Sequence, residues 1–190
     1  MHIGLFFGSF NPVHIGHMAL ANYMLSFTDL DEIWLVVSPH NPLKQKSSLL
    51  DQHQRFALVE LAADDHTKIR ASNIEFGLPQ PSYTIHTLAH LQEKYPQHTF
   101  SLIMGQDNLQ SFHKWKNHEE ILRLCKLYVY PRPACGPSSF DEHPQVIMTQ
   151  APVMDISSTF IRNAIREKKD VRFFLPYKVW QEIDLMNFYR

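Results

Sequence analysis

The sequence predicts an α/β fold: a doubly wound, mainly parallel sheet with helices on both faces, formed by a single domain over residues 1–190. Three observations predict it. Short apolar runs alternate along the chain with segments of helical periodicity. The connections between them are short, which suits βα units and a sheet covered on both faces. Polar clusters directly follow the apolar runs, after Phe7, Val37, Met104 and Thr149. In an open parallel sheet those positions converge on one edge, where ligands bind beyond the strand C-termini.

The elements follow in order. Residues 3–7 form an apolar run that reads as a buried strand, and 16–27 read as the helix after it. Residues 32–38 hold Ile33-Trp34-Leu35-Val36-Val37, a second buried strand. Two prolines and two lysines make 39–48 a loop. Residues 51–64 have the apolar spacing of a helix, 68–76 alternate enough for a strand, and 77–81 are a loop. Residues 82–95 read as a helix with Tyr83, Ile85, Leu88 and Leu91 turned inward, stopped near Pro96. Residues 99–104 are a strand. Two short helical patterns follow at 108–113 and 118–125, then a strand at 127–130. Three prolines and a glycine make 132–145 a loop. A short strand at 146–149 and helices at 157–169 and 178–186 complete the series.

Composition excludes several classes of function. A formal net charge of −1 gives no broad basic face for nucleic acid. The two cysteines, Cys125 and Cys135, form no CxxC pair, and the expectation is a reduced cytoplasmic protein without a disulfide framework. No apolar run approaches the roughly 18 residues a membrane span needs, so no membrane partner is expected. The sequence leaves a homo-oligomer open.

Five constellations carry chemistry. The first is the turn Gly8-Ser9-Phe10-Asn11-Pro12 with His14-Ile15-Gly16-His17, set where a strand hands over to a helix N-terminus. Unpaired backbone N–H groups there favour phosphate, Gly16 lets the backbone come close, and the histidines add hydrogen-bonding or cationic groups. A plain helix cap, or half of a metal site from the HxxH spacing, are the alternatives. The second is Ile156-Ser157-Ser158-Thr159 with Arg162 about two turns into a helix. It is helix-capping chemistry that also makes an anion site. The third, Gly105-Gln106-Asp107, follows a strand and suits a ribose, a base edge or outer contact with a metal ion, or else a turn with Asp107 capping the next helix. The fourth joins Ser82-Tyr83-Thr84 to Phe112 and Trp115, either as a stacking pocket at a helix start or as core packing. The fifth is Lys44 and Lys46 with Arg55 beyond, a solvated loop or one that carries lysine to a phosphate.

In order and spacing these motifs resemble the nucleotidyltransferase superfamily with a (T/H)xGH motif near its N-terminus and an SSTxxR-like motif near its C-terminus. Within it, the Ser-Tyr-Thr and Phe-x-x-Trp elements resemble the bacterial nicotinate-nucleotide adenylyltransferase branch. The resemblance implies a Rossmann-like fold and a place in NAD biosynthesis. It implies adenylyl transfer from ATP, with Mg²⁺, to nicotinate mononucleotide, giving deamido-NAD and pyrophosphate. By the same resemblance His14 and His17 would act on the α-phosphate and leaving group, and Ser157, Ser158 and Arg162 on the β- and γ-phosphates. Gly8, Ser9, Phe10, Gly16, Gly105, Asp107 and Ile156 would line the ATP site. Tyr83, Thr84, Trp115 and Lys44 would serve the acceptor. The chain departs from the pattern at Phe7, where many members have glycine, at Asn11 and His86, where aspartate is frequent, and in the loosely kept loop Asn41-Pro42-Leu43-Lys44.

The rivals use the same chemistry on other acceptors or none. Nicotinamide mononucleotide and phosphopantetheine are alternative acceptors, and CTP an alternative donor. The His-Ile-Gly-His tetrapeptide also occurs in class I aminoacyl-tRNA synthetases, but this chain is short and lacks a KMSKS-like loop. A nucleotide-sensing module would bind ATP without turnover.

Overall fold

A computed structural model describes residues 1–39 and 49–190. Its centre is a six-stranded, all-parallel sheet of β1 (His2–Gly8), β2 (Glu32–Val37), β3 (Ile69–Ser72), β4 (Thr99–Gly105), β5 (Leu127–Tyr130) and β6 (Val146–Met148). The strand order is β3-β2-β1-β4-β5-β6. The order therefore reverses between β1 and β4, and the crevice beyond their C-termini is where such sheets bind ligands. The doubly wound, Rossmann-like expectation holds.

The sheet is buried on both faces because its strands are apolar at odd and even positions alike. Ile33, Leu35 and Val37 of β2 enter one core, and Trp34 and Val36 the other. Helices α1 (Ile15–Phe27), α2 (Gln52–Ala63), α6 (Ser158–Arg166) and α7 (Tyr177–Leu185) cover the first face, through residues such as Leu20, Leu58, Ile161 and Val179. Helices α3 (Thr84–Lys94), α4 (Gln106–Gln110) and α5 (His118–Leu124) cover the second, through Leu88, Leu109 and Ile121.

Three sequence expectations need correction. The strand expected over 68–76 ends at Ser72, and a 3₁₀ turn, Ile74–Gly77, follows and buries Glu75. The helix expected over 108–113 starts two residues earlier, and its end is a separate 3₁₀ turn, Phe112–Lys114. Tyr83 is the exposed N-cap of α3 and does not face the core.

Segment 132–145 contains no helix or strand, as expected. It packs on α4: Gln110 Nε2 donates to the Gly136 carbonyl at 2.8 Å, and the Phe140 ring stands edge-on to Phe112. Among the described residues, no helix is long and apolar enough to cross a membrane.

Candidate active site

The first part of the site is the turn between β1 and α1. Phe10 has φ 43°, in the left-handed region, and its ring lies back against Gly8. A Cβ at Gly8 would sit 2.8 Å from that ring, so only glycine allows the turn to close. The Phe10 ring stands edge-on to Phe6 and His17. The backbone thus bends sharply around a buried aromatic and delivers His14 to the start of α1.

His14 is the extended N-cap of α1, and its backbone N–H donates to His17 Nδ1 at 3.2 Å. That bond makes Nδ1 an acceptor and leaves the His17 proton on Nε2 when the ring is neutral. The two rings stack with centroids 3.7 Å apart. Gly16 keeps this arrangement open, since a Cβ there would press on the His14 ring at 3.1 Å. His14 is 5% exposed, and its pKa is lowered to about 4, first by burial and then by the positive charge of Arg132. It is therefore neutral at pH 7. Its Nδ1 is buried and has no hydrogen-bond partner among the described residues.

The start of α6 meets this turn directly. Ser157 caps the helix by accepting from the Phe160 N–H at 3.1 Å. Ser158 Oγ donates to the Pro12 carbonyl at 2.8 Å, and Arg162 Nη1 donates to the Asn11 carbonyl at 2.8 Å. Arg162 stands one turn into the helix, four residues past Ser158, where two turns were expected. Its Nη2 reaches Thr159 Oγ1 at 3.3 Å, and its Nε has no hydrogen-bond partner among the described residues. Ile156 packs partly buried against the core beneath. Two helix N-termini, each electropositive, therefore open beside each other over Asn11 and Pro12.

The third part is at the end of β4. Gly105 is the N-cap of α4, and Asp107 in the first turn makes no capping bond. Asp107 instead faces Arg132, with Oδ1 3.7 Å from Nε. A Cβ on Gly105 would collide with that carboxylate, so glycine is required for Asp107 to lie where it does. Arg132 also donates to the Tyr130 hydroxyl at 3.3 Å and lies over its ring. Its Nε is buried without a hydrogen bond among the described residues. Arg132 is a candidate site residue that sequence reasoning placed in a featureless loop. Its position two residues beyond a buried strand was the available signal.

The fourth part lies on the opposite face, at the start of α3. Tyr83 and the half-buried Thr84 begin the helix, and Lys116 Nζ sits 4.6 Å from the Tyr83 ring centroid. Trp115, the neighbour of Lys116, is half-buried and tilted against Phe112. Phe112 is fully buried and is core. Tyr83, Thr84 and Trp115 are thus brought to one region. His86 lies 3.4 Å from Lys116 Nζ and edge-on to Tyr83. Lys44 and Lys46 lie outside the described residues.

Arg55 corrects an expectation. It belongs to no solvated basic loop but is fully buried. Its guanidinium donates to the carbonyls of Ser9 (2.7 Å), Ser38 (2.8 Å), Pro39 (2.9 Å) and Leu50 (2.9 Å). It ties the opening turn to the end of β2. Asn11 is braced from the far end of the chain, where the hydroxyl of the half-buried Tyr189 donates to its Oδ1 at 2.9 Å.

Similarity to known proteins shows the family. Residues 5–164 match the family described as cytidylyltransferase-like. A "Probable nicotinate-nucleotide adenylyltransferase" of Flavobacterium johnsoniae is 57% identical, with all of both chains covered. The chain belongs to the nicotinate-nucleotide adenylyltransferase branch of the cytidylyltransferase-like family. A second such adenylyltransferase, from Flavobacterium psychrophilum, is 55% identical over the full length of both. The fold agrees with a solved Plasmodium falciparum nicotinic acid mononucleotide adenylyltransferase complexed with NaAD, at TM-score 0.82 and 18% identity, covering 99% of this chain and 97% of that one. As a member of an adenylyltransferase family, the chain is a nucleotidyltransferase, and the converging helix starts are the part of the fold suited to nucleotide phosphates. Among the described residues, no three His, Cys, Asp or Glu side chains group to hold a metal ion.

Proposed function

We propose that this chain, as one nucleotidyltransferase domain over 1–190, transfers the adenylyl group of ATP to nicotinate mononucleotide, releasing pyrophosphate and forming deamido-NAD. The observation that carries this reading is the meeting of the α1 and α6 starts over Asn11 and Pro12. One triphosphate can then bridge both positive helix ends. The acceptor follows the name of relatives that match the chain from end to end.

The reaction is an in-line displacement. A phosphate oxygen of the mononucleotide attacks the α-phosphorus, the bond to the β-phosphate oxygen breaks, and pyrophosphate leaves. The attacking oxygen is already anionic, so no general base is required. The protein's work is to place two anions together and to neutralise the charge that grows on the leaving group. His17, with its proton on Nε2, would donate a hydrogen bond to that charge. The unpaired Nδ1 of His14 is a second group awaiting a polar partner. Ser157, Ser158 and Arg162 would hold the β- and γ-phosphates, with the unpaired Nε of Arg162 available to them. Gly8, Ser9, Phe10, Gly16 and Ile156 would shape the wall around the nucleotide.

Gly105, Asp107 and Arg132 would close the adenosine side, with Arg132 bringing positive charge toward the phosphates. Tyr83 and Thr84 would receive the nicotinate carboxylate at the α3 start, and Trp115 would stack on its ring. Lys44, outside the described residues, is proposed to serve the acceptor as well. Because the described residues group no metal cage, Mg²⁺ is best read as part of the Mg·ATP substrate. Such an ion takes most of its ligands from phosphate and water.

The test is pyrophosphate release from Mg·ATP with nicotinate mononucleotide, nicotinamide mononucleotide or phosphopantetheine at equal concentration, and with CTP replacing ATP. The expected result is strongest turnover with ATP and nicotinate mononucleotide. Equal or better turnover with another pair overturns the substrate assignment.

A further inference from the structure

A buried polar joint connects the two halves of the site. Glu75 lies in the 3₁₀ turn after β3 and is 3% exposed. Its carboxylate accepts from Thr87 Oγ1 at 2.8 Å and from Ser82 Oγ at 3.2 Å, and the Ser38 hydroxyl lies close enough to act on its charge. These hydroxyls come from two places. Ser82 and Thr87 flank the Tyr83 cap and first turn of α3, whereas Ser38 directly follows β2.

Ser38 is itself fastened to the opening turn. Its N–H donates to the Gly8 carbonyl at 2.9 Å. Arg55 Nη1 bridges the Ser38 and Ser9 carbonyls at 2.8 and 2.7 Å. A line of polar contacts therefore runs from Ser9 through Arg55 and Ser38 to Glu75, and on by hydrogen bonds to the start of α3.

A buried carboxylate is costly unless its oxygens are satisfied. Burial raises the Glu75 carboxyl above its usual range, while the three hydroxyls act the other way. An apolar side chain would fill the same space without that cost. What it could not do is hold three separate hydroxyls in one fixed geometry.

We propose that Glu75 is a positioning residue: through Ser38 it sets the separation between the α3 start, which receives the acceptor, and the opening turn, which receives the α-phosphate. This rests on the functional reading above. In-line transfer is steep in that separation, since a misplacement of about 1 Å can cost about a hundredfold in rate. Binding of either substrate alone depends on its own half of the site.

The experiment measures kcat, both KM values and thermal stability for wild type and for Glu75→Ala, Glu75→Gln and Ser38→Ala. Ser101→Ala serves as a control, removing the hydrogen bond to His2 Nε2 at the opposite end of the sheet. Ser38→Ala leaves Ser82 and Thr87 on Glu75, so it cuts the joint even if Glu75→Ala does not fold. The expected result is a kcat loss of roughly tenfold to a hundredfold in Ser38→Ala and Glu75→Ala, with KM for ATP nearly unchanged. Glu75→Gln restores most of the rate, because its amide can accept from one hydroxyl and donate to another. Ser101→Ala lowers stability without lowering kcat.

Wild-type kcat in Ser38→Ala overturns the proposal whatever the stability. So does a Glu75→Gln variant as slow as Glu75→Ala, which would make the charge the active feature. A wild-type protein with no turnover on nicotinate mononucleotide overturns the functional reading instead, and the positioning role falls with it.

Discussion

His14 makes stability depend on pH in a way that can be isolated. Its pKa is lowered from 6.5 to about 4, chiefly by burial and then by Arg132. The unfolded chain binds a proton near the ordinary value, so below pH 6.5 the unfolded state holds more protons than the folded one at this residue. Stability from the neutral ring is fully present above pH 6.5 and is lost as the pH falls toward 4. Below that, both states are protonated and the loss levels off. The shift corresponds to about 3 kcal/mol in full and about 2 kcal/mol by pH 5.

The assay is urea unfolding, followed by tryptophan fluorescence, of wild type and His14→Gln at several pH values between 7.5 and 4. Other titrating groups are common to both proteins, so the difference between the two curves reports His14. The account expects the variant to lose less stability on acidification, by about 2 kcal/mol at pH 5. Parallel curves for the two proteins refute it, because a ring that charges freely in the folded state cannot be buried beside Arg132 as described.

Further outcomes follow from the same geometry. His17→Ala should lower turnover by roughly a hundredfold to a thousandfold, as loss of a charge-stabilising donor does, while ATP affinity measured by calorimetry changes far less. If both fall together, His17 acts in ground-state binding only. Arg55→Ala leaves the carbonyls of Ser9, Ser38, Pro39 and Leu50 without their donor, and should destabilise by about 3 kcal/mol or more in urea unfolding. Gly8→Ala puts a methyl 2.8 Å from the Phe10 ring and should cost about 1–3 kcal/mol by the same measurement. A neutral Gly8→Ala would mean that the turn is not packed as described.

Much of the fold was legible because its strands are short apolar runs cut off by polar turns. The first two strands are continuous apolar runs, and they and the helix after the opening turn appear within a residue or two of where the sequence puts them. The strand over 68–76 was overread. Ile74 and Phe76 continue an alternating pattern, but Glu75 between them turns inward to hydroxyls, and the backbone winds into a 3₁₀ turn. Tyr83 fits a helical stripe by spacing alone, yet as the N-cap it stands outside that stripe.

The opening and late motifs were legible as helix starts, the places proposed above to take phosphate, because glycine, serine and histidine mark them. That they share one sheet edge was also legible, but their direct contact over Asn11 and Pro12 was not, since it joins residues 146 and 151 positions apart through backbone carbonyls. Arg55 was misread and Arg132 missed for a related reason. A basic residue in a polar stretch looks the same in sequence whether it is solvated, buried on carbonyls, or set between a carboxylate and a tyrosine.

The most direct measurement is a crystal structure with a non-hydrolysable ATP analogue. The account predicts one triphosphate lying between the His14–His17 turn and the Ser157, Ser158 and Arg162 end of α6, in contact with both. A triphosphate bound elsewhere, or touching only one of these two helix starts, would contradict it.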